Sequence, residues 1–190
     1  MMRLVLIAGV LALTAACTFV GSTPTQSRTA AATGCGANAS GHWQADANTN
    51  FTLEAQSFGA DCAKAVAVIV IRDAQGDVQW AEAAPAAHIM TLAQAHDVAA
   101  MQTALGEWIN SSNHTIASSS ALPEWPRGAN GPQNGEFPFH PEEGTDRQSY
   151  EALRAANVPV YCYVQGMESQ ACLALTNGAL EKAGVQSFPG

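Results

Sequence analysis

The sequence predicts an α+β fold: an antiparallel β-sheet meander packed by about two helices, with a disulfide-braced C-terminal hairpin. Three observations point there. Strand-like runs cluster between residues 51 and 82, an apolar stripe at helical spacing follows near residue 100, and Cys162 and Cys172 sit inside the last two strand-like runs.

Each element has a local reason. Phe51-Thr52-Leu53-Glu54-Ala55 alternates apolar and polar, as a half-buried strand does. Ala65 to Ile71 is a nearly continuous β-branched run, the pattern of a strand buried on both faces. Asp73-Ala74-Gln75-Gly76-Asp77 supplies a turn, and Val78-Gln79-Trp80-Ala81-Glu82 alternates again before Pro85 ends the element. Together these predict a meander with the apolar strand in its middle.

A helix follows. Val98, Met101, Leu105, Trp108 and Ile109 recur every three or four residues, Asp97 is placed to cap the start, and Asn110-Ser111-Ser112-Asn113 ends it. From Ser118 to Gly144 the chain has five prolines, four glycines and no periodicity, yet Trp125, Phe137 and Phe139 are spaced through it as if to pin it down. Thr145-x-x-Gln148 then reads as a capping box opening a second helix with Tyr150, Leu153 and Arg154. Val158 to Tyr163 and Ala171 to Leu175 are the last two strands, joined around Gln165-Gly166-Met167-Glu168-Ser169.

The amino terminus reads differently. Met1-Met2-Arg3 is short and positive, Leu4 to Leu13 is apolar, and Thr14-Ala15-Ala16 is small, the three parts of a secretory signal. The apolar run is too short for a helix across a hydrocarbon core, which takes about 20 residues. Leu13-Thr14-Ala15-Ala16-Cys17 resembles the lipobox of bacterial lipoproteins, although Thr14 stands where leucine is commoner. That resemblance implies cleavage before Cys17, acylation of its thiol (palmitate among the chains) and attachment to a membrane through lipid. Thr18 rather than Asp after the cysteine implies, by likeness to the sorting rule of Gram-negative lipoproteins, the outer membrane facing the periplasm. The expected organisation is a signal peptide over 1–16, lipidated Cys17 and a flexible tether over 17–41, and a single globular domain over 42–190. The tether reading rests on Ser, Thr, Ala, Gly, Gln and Asn with almost nothing apolar after Val20.

Removing residues 1–16 from the 190 leaves 174, enough for one domain with its own core. Arg3 goes with the leader, so seven basic side chains face sixteen acidic ones and the net charge falls from −8 to −9. That balance argues against binding nucleic acid or an anionic bilayer through a basic patch. With Cys17 assigned to lipid, Cys35, Cys62, Cys162 and Cys172 remain, an even number in an oxidising compartment. Of the three pairings, nearness in sequence favours Cys35–Cys62 and Cys162–Cys172. A four-thiolate metal site is the rival, and the absence of any C-x-x-C pair weighs against it.

No complete catalytic motif or dinucleotide fingerprint is present, and no cofactor is expected. His96-Asp97 is better explained by the helix cap than by a base and its orienting carboxylate, since neighbours on a helix do not face one another. His140-Pro141-Glu142-Glu143 offers metal-ligand types, but acids beside a helix start also suit the helix dipole. The candidate binding residues are Met167, Glu168 and Ser169 on a braced turn, with Trp125 on the long segment. Two functions follow as expectations. The favoured one is a non-enzymatic envelope lipoprotein that binds a protein or cell-wall component, and it predicts an exposed apolar patch near Met167 or Trp125. The alternative is a hydrolase acting on an envelope polymer, in which one of His88, His96, His114 or His140 meets a carboxylate or serine in a pocket.

Overall fold

The computed structural model describes residues 34–110, 116–132 and 136–188. Residues 1–33, which hold the expected leader, Cys17 and most of the expected tether, lie outside the described residues, as does His114. Four strands, β1 (Ala37–Gln44), β2 (Asn50–Phe58), β3 (Val66–Arg72) and β4 (Val78–Pro85), form an antiparallel sheet in the order β1-β2-β3-β4. Four more, β5 (Phe139–Pro141), β6 (Val160–Val164), β7 (Ser169–Thr176) and β8 (Ala179–Ser187), form a second sheet in the order β5-β8-β7-β6. Helix α1 (Val98–Trp108) lies on the β1 side of the first sheet, and α2 (Arg147–Ala156) accompanies the second.

The two sheets share one core. Leu53, Ile69 and Ile71 from the first sheet pack with Met101 and Leu105 of α1 and with Tyr161, Tyr163, Ala171 and Leu173 of the second. Successive side chains of a strand point to opposite faces, so the intervening residues of β6 and β7 look the other way. There Val160, Cys162, Cys172 and Ala174 meet Phe139, Tyr150 and Leu122 in a second core. Strands β6 and β7 are thus buried on both faces. The double burial expected of β3 does not occur. Ala67, Ile69 and Ile71 are fully buried, while Val68 and Val70 on the outward face are partly exposed and Val66 is exposed. The unbroken β-branched run reflects how such side chains fit a pleated surface, and burial uses only every second one.

Both disulfides join the expected partners, Cys35–Cys62 with 4.7 Å and Cys162–Cys172 with 4.0 Å between Cα atoms. The second links residues directly opposite in the β6–β7 register. Asp97 caps α1, its carboxylate accepting from the Ala100 backbone N–H at 2.8 Å. The cap of α2 falls one residue later than the Thr145 reading. Asp146 accepts from the Ser149 N–H at 2.7 Å, and its negative charge also complements the helix dipole.

Three strands were not foreseen as such, among them the short β5, which falls within the stretch read as irregular. Strand β1 begins at Ala37, inside the stretch read as tether, and its inward residues Ala37, Ala39 and Gly41 are too small to signal a strand. Ile109 lies over Gly41, and the Gln102 side chain bridges the backbone N–H and carbonyl of Asn38. Strand β8 returns from β7 through Asn177-Gly178, with φ of 51° and 83° between the paired residues Thr176 and Ala179. Positive φ at both central residues is the two-residue hairpin geometry that Asn-Gly favours.

The segment from Ser118 to Gly144 is held by the side chains of α2. Tyr150 donates its hydroxyl to the Pro123 carbonyl at 2.8 Å, Arg154 donates to Leu122 at 2.8 Å, and Arg147 donates to Trp125 at 2.6 Å. The Glu151 carboxylate accepts from the Trp125 backbone N–H at 2.8 Å and pairs with Arg154 at the same distance. Backbone groups that have no strand partner are satisfied by these donors and acceptors.

Candidate binding surface

The β6–β7 hairpin narrows to the turn Gln165–Glu168, closed by Gln165 and Gly166 N–H groups that share the Ser169 carbonyl at 3.0 and 3.3 Å. Behind it the Cys162–Cys172 bridge crosses the strands. Two distant segments are tied to this tip through the backbone. The Met90 N–H donates to the Gly166 carbonyl at 3.2 Å, and the Phe188 N–H donates to the Glu168 carbonyl at 2.7 Å. Ser187 donates to Pro138 at 2.7 Å, which brings Phe137 alongside, its ring edge-on to Phe188 at 6.5 Å.

The result is a row of exposed large apolar side chains flanking the tip on both sides. Met167 is 51% exposed, Met90 46% and Phe137 46%, with Phe188 partly exposed beside them. Two thioethers on unbranched stems re-pack readily against differently shaped partners. Glu168 is exposed at the rim, whereas Ser169 is half-buried and belongs to the β7 ladder opposite Ser187. Below the tip, β6 is held from two sides. Trp108 donates its indole N–H to the Val164 carbonyl at 2.6 Å, and Trp80 donates to the Tyr163 hydroxyl at 2.8 Å. That hydroxyl donates in turn to the Glu82 carboxylate. Burial, with Glu82 adding to it, raises the Tyr163 pKa above the usual phenol range.

Trp125 belongs elsewhere. It is half-buried at the margin of the second core, edge-on to Tyr150 at 5.6 Å, with its indole N–H on the Ala129 carbonyl at 2.9 Å. Its role is to close the loop over α2 rather than to join Met167 at the tip. His88, His96 and His140 are exposed and sit on three separate segments, a short helical turn, the loop before α1 and β5. The Asp97 carboxylate beside His96 is occupied by the α1 cap. His140 borders a recess with Glu142 and Glu143, and Lys182 holds Glu142 at 3.3 Å. Among the described residues no group of three or more His, Cys, Asp or Glu side chains is arranged to hold a metal. A second recess of about 420 Å³ lies between α2 and the β7–β8 hairpin, floored by Leu153, Val158 and Ala174. The Thr176 hydroxyl beneath it is buried without a hydrogen-bond partner.

Sequence reading named Met167 and Glu168 as candidates and took Phe137 for a pinning ring, whereas it stands 46% exposed beside Phe188. Met90 and Phe188 carry no local signal, because long-range backbone bonds bring their segments to the tip. Among the described residues no helix is long and apolar enough to cross a membrane, a statement that does not bear on strand-built spans. Comparison with protein-family models, curated proteins and solved structures gave no match to this chain.

Proposed function

We propose that the chain is an exported envelope lipoprotein, anchored through lipid on Cys17 and probing its surroundings with the β6–β7 tip as a non-enzymatic binding module for an envelope protein. The observation that carries the binding reading is the half-exposed row of Met90, Met167 and Phe137 at a disulfide-braced hairpin. Exposed apolar side chains gathered around one rigid turn favour a protein partner, since a fixed tip loses little freedom on binding. The anchoring reading is supported by the leader and the Cys17 context, and the outer membrane by Thr18. The hydrolase alternative has less support, because His88, His96 and His140 are exposed on separate segments and Asp97 is already engaged.

The test has two readouts. Intact mass of the chain purified from host membranes is expected to match residues 17–190 with acyl chains and two disulfides, and Cys17→Ser to release it unacylated. A diazirine-bearing amino acid in place of Met167, activated in cells, is expected to give one discrete crosslinked partner that Met90→Glu abolishes. Absence of any crosslink from position 167 in cells that retain the acylated chain overturns the binding reading.

A further inference from the structure

The outward face of the first sheet divides into two halves. On β1 and β2 it is polar, with Asn38, Ser40, Thr52 and Gln56. From Phe58 at the end of β2 across β3 and β4 it is apolar as far as Arg72. The end row runs Phe58–Val66–Pro85 across three paired strands, with Phe58 55% exposed, Val66 42% and Pro85 exposed. The next row continues as Val68 and Ala83. The first charge on this face is Glu54, further along β2, and it is paired with Arg72 at 3.2 Å. An apolar row three strands wide at the end of a sheet is an interaction surface in need of an occupant.

The chain itself indicates which one. Phe58 is followed by Gly59, whose carbonyl accepts from the Cys35 N–H at 2.8 Å, and Cys35 is bonded to Cys62. The segment upstream of Gly34 therefore leaves the domain directly beside the row. Between Cys17 and Gly34 lie residues 18–33, a stretch that even fully extended spans at most about 55 Å. Resting on the lipoprotein reading, Phe58 cannot stray from the acyl chains by more than that reach, and such a linkage supplies a high effective concentration. The ions nearest in sequence, Asp61 and Lys64, stand 3.9 Å apart and offset one another, so the row presents no net charge to attract or repel headgroups.

We propose that the Phe58–Val66–Pro85 row rests on the membrane interface of the anchored protein, with Phe58 inserted among the headgroups. The domain is then oriented on the bilayer, sheet end down. A second copy stacked on the row, or residues 18–33 folding back over it, are the competing occupants.

The acylated full chain is reconstituted in phosphatidylethanolamine–phosphatidylglycerol vesicles with a diazirine-bearing amino acid at position 58, at position 66 or at position 75. Gln75 lies in the turn at the opposite end of β3, about 20 Å away. Lipid adducts at positions 58 and 66 are expected to exceed those at position 75 by about tenfold, because interfacial contact extends only about 5–10 Å into the headgroup boundary. Equal lipid labelling at all three positions, protein–protein adducts at 58, or adducts to residues 18–33 would each overturn the inference. Intact mass is taken on the same sample. An unacylated chain sinks the lipoprotein reading and this one with it, whereas an acylated chain without lipid adducts at 58 sinks this one alone.

Discussion

Trp80, on the edge strand of the first sheet, donates its indole N–H to the hydroxyl of Tyr163 in the second sheet at 2.8 Å. The bond is one of the few polar links across a core otherwise filled by Leu53, Ile71, Leu105 and Leu173. It is continued to Glu82 on the same strand as Trp80, so the phenol of β6 is clasped between two side chains of β4.

Trp80→Phe removes the donor and keeps one aromatic ring of the two. The remaining hydroxyl still reaches Glu82, so the loss is one hydrogen bond and some packing, about 1 kcal/mol. Chemical denaturation of wild type and variant, with unchanged slope and a lower midpoint, checks this. Glu82→Ala in the same background is expected to be worse than additive if the three groups act as one network.

The two disulfides differ in the loops they close, 27 residues of separation for Cys35–Cys62 and 10 for Cys162–Cys172. On loop-closure entropy alone, removing the first costs about 3.5 kcal/mol and removing the second about 2.5 kcal/mol. Paired cysteine-to-alanine variants, unfolded in denaturant, measure both. The reverse ranking would mean that strain or residual structure in the unfolded chain outweighs loop length.

Acid stability follows from the caps. The Asp146 carboxylate is held below its usual value of 3.8, chiefly by the Ser149 backbone N–H. Glu151 is held below 4.5, chiefly by the backbone N–H of Trp125. A carboxylate whose folded pKa is depressed contributes stability that is complete above the unfolded value and is lost as pH falls through the folded one. The domain is therefore expected to lose stability below about pH 4, where unfolded carboxylates titrate. Asp146→Asn is expected to leave a shallower acid limb in a pH series of denaturation midpoints, and an unchanged limb refutes the assignment.

How much of this was legible in the chain varies with the reach of the interactions. Helix α1 was readable in full, since Asp97 and the stripe from Val98 to Ile109 are local signals. The disulfide pairs were readable because each joins near neighbours. Strand β8 was not, although Asn177-Gly178 announced its hairpin; its own sequence mixes Glu181, Lys182 and Gly184 with few large apolar residues. Strand β1 resembled linker because α1 lies over it and small side chains suffice there. The candidate surface was half readable. A braced turn with an exposed methionine is a local pattern, whereas the convergence of Met90, Phe137 and Phe188 depends on backbone bonds between distant segments.

The Thr176 hydroxyl is buried beneath the α2 recess without a partner. A lone buried hydroxyl is unfavourable relative to an apolar group of the same shape. Thr176→Val is therefore expected to stabilise the fold by about 1 kcal/mol, read as a higher denaturation midpoint. A destabilised variant would mean that the hydroxyl is satisfied in solution.

The Cys35–Cys62 bridge has a mechanical side. Strand β1 starts two residues after Cys35, and Cys62 sits just ahead of β3. Traction on the chain upstream of Cys35 is thus divided at that bond between an edge strand and an interior one. An edge strand loaded alone would peel away rung by rung. With the bridge in place the force must shear β3 against both of its neighbours, so the domain is reinforced at the point where a leash would pull.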